Sequence, residues 1–134
     1  MILGRYAHPT DFLFCKIDFL WSLDYNIIMK EILTYKTADG KCPYDLWFKK
    51  LDKAIQVRIY KRLERVTEGN FGDCKKIDCD ISELRFNFGS GYRIYFTEAD
   101  DIIIILLCAG DKSTQTSDIE KAKGYLKDLA ERNL

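Results

Sequence analysis

Ile102 to Ala109 is an unbroken run of eight apolar residues, closed by Asp100-Asp101 on one side and Gly110-Asp111 on the other. It has the length of a strand and is rich in β-branched isoleucine, and it is far shorter than the roughly 18 apolar residues of a membrane-spanning helix. A strand with no polar side must be covered on both faces. The run is therefore expected at the centre of a sheet, and the rest of the chain must supply its neighbours and its cover.

The neighbours are legible just upstream. From Ile81 to Phe88 the sequence alternates, with Leu84, Phe86 and Phe88 on one face and Glu83, Arg85 and Asn87 on the other. Gly89-Ser90-Gly91 is a turn, and alternation resumes from Tyr92 to Thr97, with Ile94 and Phe96 opposed to Arg93 and Tyr95. A three-residue loop would pair Phe88 with Tyr92, Asn87 with Arg93, Phe86 with Ile94 and Arg85 with Tyr95. That register gathers the apolar groups on one face and Arg85, Asn87, Arg93 and Tyr95 on the other, whereas a two-residue loop mixes the faces.

Upstream of the hairpin, Ile32 and Leu33 open a short strand that ends before the turn Ala38-Asp39-Gly40. Pro43 suits the first position of a helix carrying Tyr44, Trp47, Phe48 and Leu51. A second helix carries Ile55, Ile59, Leu63 and Val66, and a last one, with Ser117-x-x-Glu120 as a capping box, carries Ile119, Ala122, Leu126 and Leu129. The expected fold is α+β: a small, largely antiparallel sheet, two N-terminal helices packed on one face, and a C-terminal helix.

The 134 residues suit one domain, here 29–134. Residues 1–28 differ in texture and lack a signal-peptide cleavage site, so they read as an upstream extension from a start codon placed too early. The alternative is an amphipathic segment docking through Phe12, Phe19 and Trp21. The cysteines (Cys15, Cys42, Cys74, Cys79, Cys108) show no C-x-x-C spacing and read as reduced thiols in a cytoplasmic protein rather than a metal site. His8 is the one histidine, so acid–base chemistry in the domain falls to Lys, Arg, Tyr or carboxylates.

Net charge is zero, with 21 basic and 21 acidic residues, so any attraction for nucleic acid has to be local. Between Lys49 and Arg65 there is a local excess of five positive charges, with Lys75 and Lys76 beyond it. This is either a solvated helix face or a strip of phosphate contacts. Arg85 and Arg93 on one face of adjacent strands repel each other. Either Glu83 neutralises them in an ion-pair network, or an anion does, because guanidinium forks match phosphate. Lys112 lies just past the central strand, within a loop's reach of them. Arginine and lysine can stabilise the phosphorane formed when a ribose 2′-hydroxyl attacks its neighbouring phosphate, so the residues are compatible with ribonuclease chemistry and equally with anion binding.

Asn70-Phe71-Gly72-Asp73, Ser82-Glu83-Leu84-Arg85, Gly91-Tyr92-Arg93-Ile94-Tyr95-Phe96, Gly110-Asp111-Lys112-Ser113-Thr114-Gln115, Asp118-Ile119 and Lys121-Ala122-Lys123 together resemble the phage-derived, HigB-like branch of the RelE toxin superfamily, over about Lys30 to Arg132. The resemblance implies a RelE-like fold and a type II toxin that cleaves translating mRNA on the ribosome, without metal or cofactor. It implies a helix-turn-helix, HigA-like antitoxin as partner. Carried over by position, Arg85, Arg93 and Lys112 are the catalytic candidates. Lys49, Lys53, Arg58, Arg62, Lys75, Lys76, Asn87 and Tyr95 are the expected RNA contacts. A catalytically inactive module that binds RNA or antitoxin is the competing reading. The 28 leading residues, and Cys42 where a Ser or Thr cap is usual, depart from the family pattern.

Overall fold

The structure, a computed structural model, describes Gly4–Arg5 and residues 29–132. The elements run β1 (Gly4–Arg5), β2 (Glu31–Thr34), α1 (Pro43–Lys49), α2 (Lys53–Thr67), β3 (Cys74–Lys76), β4 (Ser82–Arg85), β5 (Arg93–Ala99), β6 (Ile103–Gly110), a 3₁₀ turn (Lys112–Thr114) and α3 (Gln115–Arg132). The strands form one mixed sheet in the order β1-β2-β6-β5-β4-β3. Of residues 1–28, only the Gly4–Arg5 backbone, antiparallel to β2, is described; Phe12, Phe19 and Trp21 lie outside the described residues.

The apolar run becomes β6, in the sheet's interior, parallel to β2 on one side and antiparallel to β5 on the other. Its two faces meet two separate layers. Ile104 and Leu106 join Ile32, Leu84, Phe86, Ile94 and Phe96 beneath Tyr44 of α1 and Ile59, Leu63 and Val66 of α2. Ile105, Leu107 and Cys108 join Tyr35, Ile81 and Tyr95 beneath Ala122 and Leu129 of α3. A bulge after Tyr95 turns both Leu107 and Cys108 toward α3. Each large side chain so buried contributes about 1.5–3 kcal/mol, and burial pushes the Cys108 thiol up to about 12.

The structure corrects the expected hairpin in register but not in faces. Arg85 pairs with Arg93, Leu84 with Ile94 and Glu83 with Tyr95. The pairing is displaced by two residues, so every side chain keeps its side. Gly89 and Gly91 both take left-handed φ values (+60° and +77°), and the connection widens to residues 87–91, closed by Phe86 N–H donating to Tyr92 O at 3.0 Å. The short edge strand β3, all of it exposed, is an addition with no apolar alternation to announce it. The capping box lies upstream of Ser117: Asp111 accepts from Ser113 N–H at 2.9 Å, and the Thr114 hydroxyl receives the Asp111 N–H at 3.3 Å.

At its far end α3 is tied to β2's outgoing chain. Tyr35 donates its hydroxyl to Asp128 at 2.5 Å, and Arg132 bonds Asp128 and the Lys36 carbonyl. The Tyr35 phenol is pushed up to about 12, by burial first and by Asp128 second. Asp128 is held below its usual 3.8, chiefly by the Tyr35 hydrogen bond and then by Arg132. A depressed carboxylate stabilises the fold above its unfolded value and loses that contribution as pH falls through the folded one. Asp128→Asn is therefore expected to lower Tm at neutral pH and to leave it unchanged at a pH well below 3.8, as read by thermal melts across the acid range.

Candidate functional site

Arg85 closes β4 and Arg93 opens β5, and the register sets them directly opposite one another. Paired residues of an antiparallel ladder project to the same side. Both guanidiniums, with Glu83, therefore leave the sheet on the face that carries α3. Two like charges so placed repel, and Glu83 supplies the compensation. Its carboxylate is completely buried, with Oε1 3.4 Å from Arg85 Nε and 3.7 Å from Arg93 Nε. Gln115, the first residue of α3, donates Nε2–H to the other oxygen at 2.6 Å. The ion-pair network foreseen as one of two alternatives is thus present, and it leaves Arg85 about one third exposed while Arg93 is nearly buried.

Lys112 stands next to this group. Its N–H reaches the Ser90 carbonyl at 3.4 Å, which ties the turn after β6 to the tip of the β4–β5 connection. A Cβ built on Gly91 meets Lys112 Cβ at 3.3 Å and Arg93 Nη1 at 3.9 Å, so both side chains crowd the same glycine. Gly110, opposite Arg93, has no room for a side chain at all, because the Asp118 carboxylate and Thr114 hydroxyl occupy the place. The α3 start is pressed against the end of β6, and that contact fixes where Lys112 emerges. Arg85 and Arg93 face each other across the ladder, and Lys112 lies beside Arg93 across Gly91.

The basic helix face divides into residues that are free and residues that are not. Arg58, Lys61, Arg62 and Arg65 recur at helical spacing and, with Arg85, Phe86, Asn87 and Phe88, line a cleft of about 390 Å³. Arg58 is exposed and stacks 3.7 Å over the Phe88 ring. Arg62 is a structural clamp: Nε and Nη2 donate to the Phe71 carbonyl, Nη2 also to Asp73 O, and Nη1 to Arg85 O at 2.8 Å. Its fork is spent on the loop that leads into β3, which corrects its assignment as an RNA contact. Lys61 and Arg65, absent from the expected contacts, line the cleft, and their spacing from Arg58 is the signal that would have found them.

Lys49 and Lys53 are exposed, at the end of α1 and the start of α2, and Lys75 and Lys76 are exposed on β3. Asn87 is exposed at the cleft. Tyr95 is the second correction. It is fully buried beneath α3, its hydroxyl has no hydrogen-bond partner among the described residues, and burial followed by the Glu83 charge drives its pKa well above the usual phenol range. It cannot stack a base. The register shift accounts for this, because it places Tyr95 opposite Glu83, inside the sheet, rather than opposite Arg85 at the rim.

Residues 46–134 match the model of a family described as phage-derived protein Gp49-like, and Glu83, Arg85, Arg93 and Lys112 all fall within the match. An uncharacterized protein of Haemophilus influenzae is 42% identical over 87 residues, covering 64% of this chain and 88% of that protein. Among solved structures, the E. coli toxin RelE, as an arginine-to-alanine double mutant in the free state, is similar with a TM-score of 0.48 and 16% identity, over 75% of this chain and 96% of that one.

Three substitutions separate supporting residues from surface ones. Arg62→Ala is expected to cost at least about 2 kcal/mol, because several carbonyls lose a charged donor, whereas Lys61→Ala leaves the denaturation midpoint nearly unmoved. Tyr95→Phe is expected to be neutral or stabilising, by up to about 1–3 kcal/mol, since it removes an unsatisfied buried hydroxyl. Urea titrations of the three variants check both.

Proposed function

The chain belongs to the phage-derived Gp49-like family, and we propose that it is a RelE-superfamily toxin of a type II toxin–antitoxin pair, an endoribonuclease that cuts mRNA on the ribosome in the cytoplasm and so arrests translation. The observation that carries this reading is the Arg85–Arg93 cross-strand pair with Lys112 beside it. Three cations at one rim of the sheet match a phosphate that gains negative charge as it reacts.

The reaction is a transesterification. The ribose 2′-oxygen forms a bond to the adjacent phosphorus, the bond from phosphorus to the 5′-oxygen breaks, and the products are a 2′,3′-cyclic phosphate and a 5′-hydroxyl. The 2′-hydroxyl proton leaves to solvent, and in this reading the Lys112 ammonium protonates the departing 5′-oxygen. Arg85 and Arg93 neutralise the charge on the non-bridging oxygens of the phosphorane, an effect strongest where water is excluded, as it is around Arg93. Arg58, Lys61, Arg65 and Asn87 along the cleft, with Lys49, Lys53, Lys75 and Lys76 outside it, hold the RNA backbone by contacts that weaken with salt. A HigA-like helix-turn-helix antitoxin is the expected partner that masks this surface.

An inactive module that binds RNA or antitoxin is favoured by one observation: Glu83 sits within 4 Å of both guanidiniums, as it would in a purely structural cluster. Induced expression separates the readings. The parent is expected to stop growth, and co-expression of the neighbouring antitoxin gene to restore it. Arg93→Ala and Arg85→Ala, verified as folded, are expected to lose about 10²–10³ in cleavage rate and to permit growth. Folded variants that arrest growth as well as the parent contradict the assignment.

A further inference from the structure

The cleavage mechanism uses Arg85, Arg93 and Lys112 and leaves Glu83 without a task. A fully buried carboxylate is costly unless it is paired and hydrogen-bonded, and this one is satisfied on only one side. Oε2 receives the Gln115 amide at 2.6 Å, while Oε1 has no hydrogen bond, and neither has Arg93 Nε. The separations of 3.4 and 3.7 Å are ion-pair contacts that close no hydrogen bond.

The atoms involved are specific. Glu83 faces both arginines through Nε, the inner edge of the guanidinium. Among the described residues the Nη atoms of Arg85 have no hydrogen-bond partner, and Arg93 has a single 3.5 Å contact from Nη1 to the Gly91 carbonyl. A structural Arg–carboxylate pair commonly closes as a two-bond fork that spends Nη. Here the Nη edges, which match two phosphate oxygens, are left for something else.

From this we infer that Glu83 is a positioning residue of the site, fixed by Gln115, which holds Arg85 and Arg93 by their Nε edges and so presents both Nη edges to one phosphate. The inference rests on the cleavage reading. It extends that reading by assigning the origin of the arginine geometry to a buried carboxylate and to the first residue of α3. Because Gln115 follows the Lys112–Thr114 turn directly, the same anchor ties the turn carrying Lys112 to the arginine pair. Without the Glu83 charge the guanidiniums stand unscreened across one ladder rung, and Arg85, the more exposed, swings outward.

Charge and position make opposite demands, and this yields a distinctive signature. Glu83→Gln keeps the shape and raises the site's net charge by one. RNA binding is then unchanged or tighter, so KM does not rise, while kcat falls about 10²-fold as the guanidiniums lose alignment. A residue important only for folding would lower the active fraction and the melting temperature, without that split. Gln115→Ala removes only the second anchor and is expected to reproduce the direction of the effect, about tenfold in kcat; it serves where Glu83→Gln does not fold. Glu83→Asp, a carboxylate one carbon shorter, is expected to recover part of kcat.

A readout independent of cleavage accompanies the kinetics. In ¹⁵N NMR spectra of the parent, the Arg93 Nε–H should exchange slowly with water, and the Arg85 and Arg93 Nε signals should shift together on titration with inorganic phosphate. In Glu83→Gln, exchange becomes fast and the joint shift disappears. A folded Glu83→Gln protein that keeps a protected Arg93 Nε–H and the joint shift, or whose kcat stays within about tenfold of the parent's, overturns the inference. If the parent cleaves no RNA, the nuclease reading fails on its own, and the Nε signals alone decide the role of Glu83.

Discussion

The buried Glu83 carboxylate, bonded to the first residue of α3, ties together the charged end of this molecule. Glu83 brings together residues from three elements: Arg85 on its own strand, Arg93 across the ladder, and Gln115 at the helix start. Removing an ion from water costs several kcal/mol even after relaxation, so the arrangement persists only because two cations and an amide surround it. The strands bring the arginines opposite each other, and Glu83 makes that opposition tolerable. The helix that covers Glu83 is also the one whose first turn delivers Lys112.

The two faces of the sheet are covered differently. On one face, α1 and α2 bury aromatic and aliphatic groups, and their outer surface carries the basic cleft. On the other, α3 covers a smaller core and the charged group. Both meet at the end of the β4–β5 pair, where cleft and arginine pair share Arg85. Arg58 and Arg62 show how neighbouring residues of one type part ways. Arg58 lies flat on Phe88 at the surface, whereas Arg62 points under the chain and is consumed by the Phe71, Asp73 and Arg85 carbonyls.

What the sequence revealed follows from the physics each pattern encodes. The period of two in the hairpin assigns faces correctly at any even displacement, so Arg85 and Arg93 were legible as neighbours even though the register was misplaced. The displacement itself came from Gly89 and Gly91, whose left-handed backbones allow a wider tip than three residues. Tyr95 was misread for the same reason. The apolar run of β6 marked the centre of the sheet, but its parallel partner β2 lies some seventy positions upstream, a pairing no local pattern encodes. Strand β3 carries Cys-Lys-Lys, held by its ladder to β4 and by the Arg62 bonds to the loop before it rather than by burial, and so left no hydrophobic trace. Glu83 was visible as a neutralising charge, but its anchoring by Gln115 is a contact across 32 positions and belongs to the fold alone.

The central claim is that the converging cations act on the phosphodiester of a translated message. Sequencing of RNA ends from cells shortly after induction tests it most directly. New 5′-hydroxyl ends, matched by 2′,3′-cyclic phosphates and aligned to codons within reading frames, are the predicted result. Growth arrest with intact messages would contradict it.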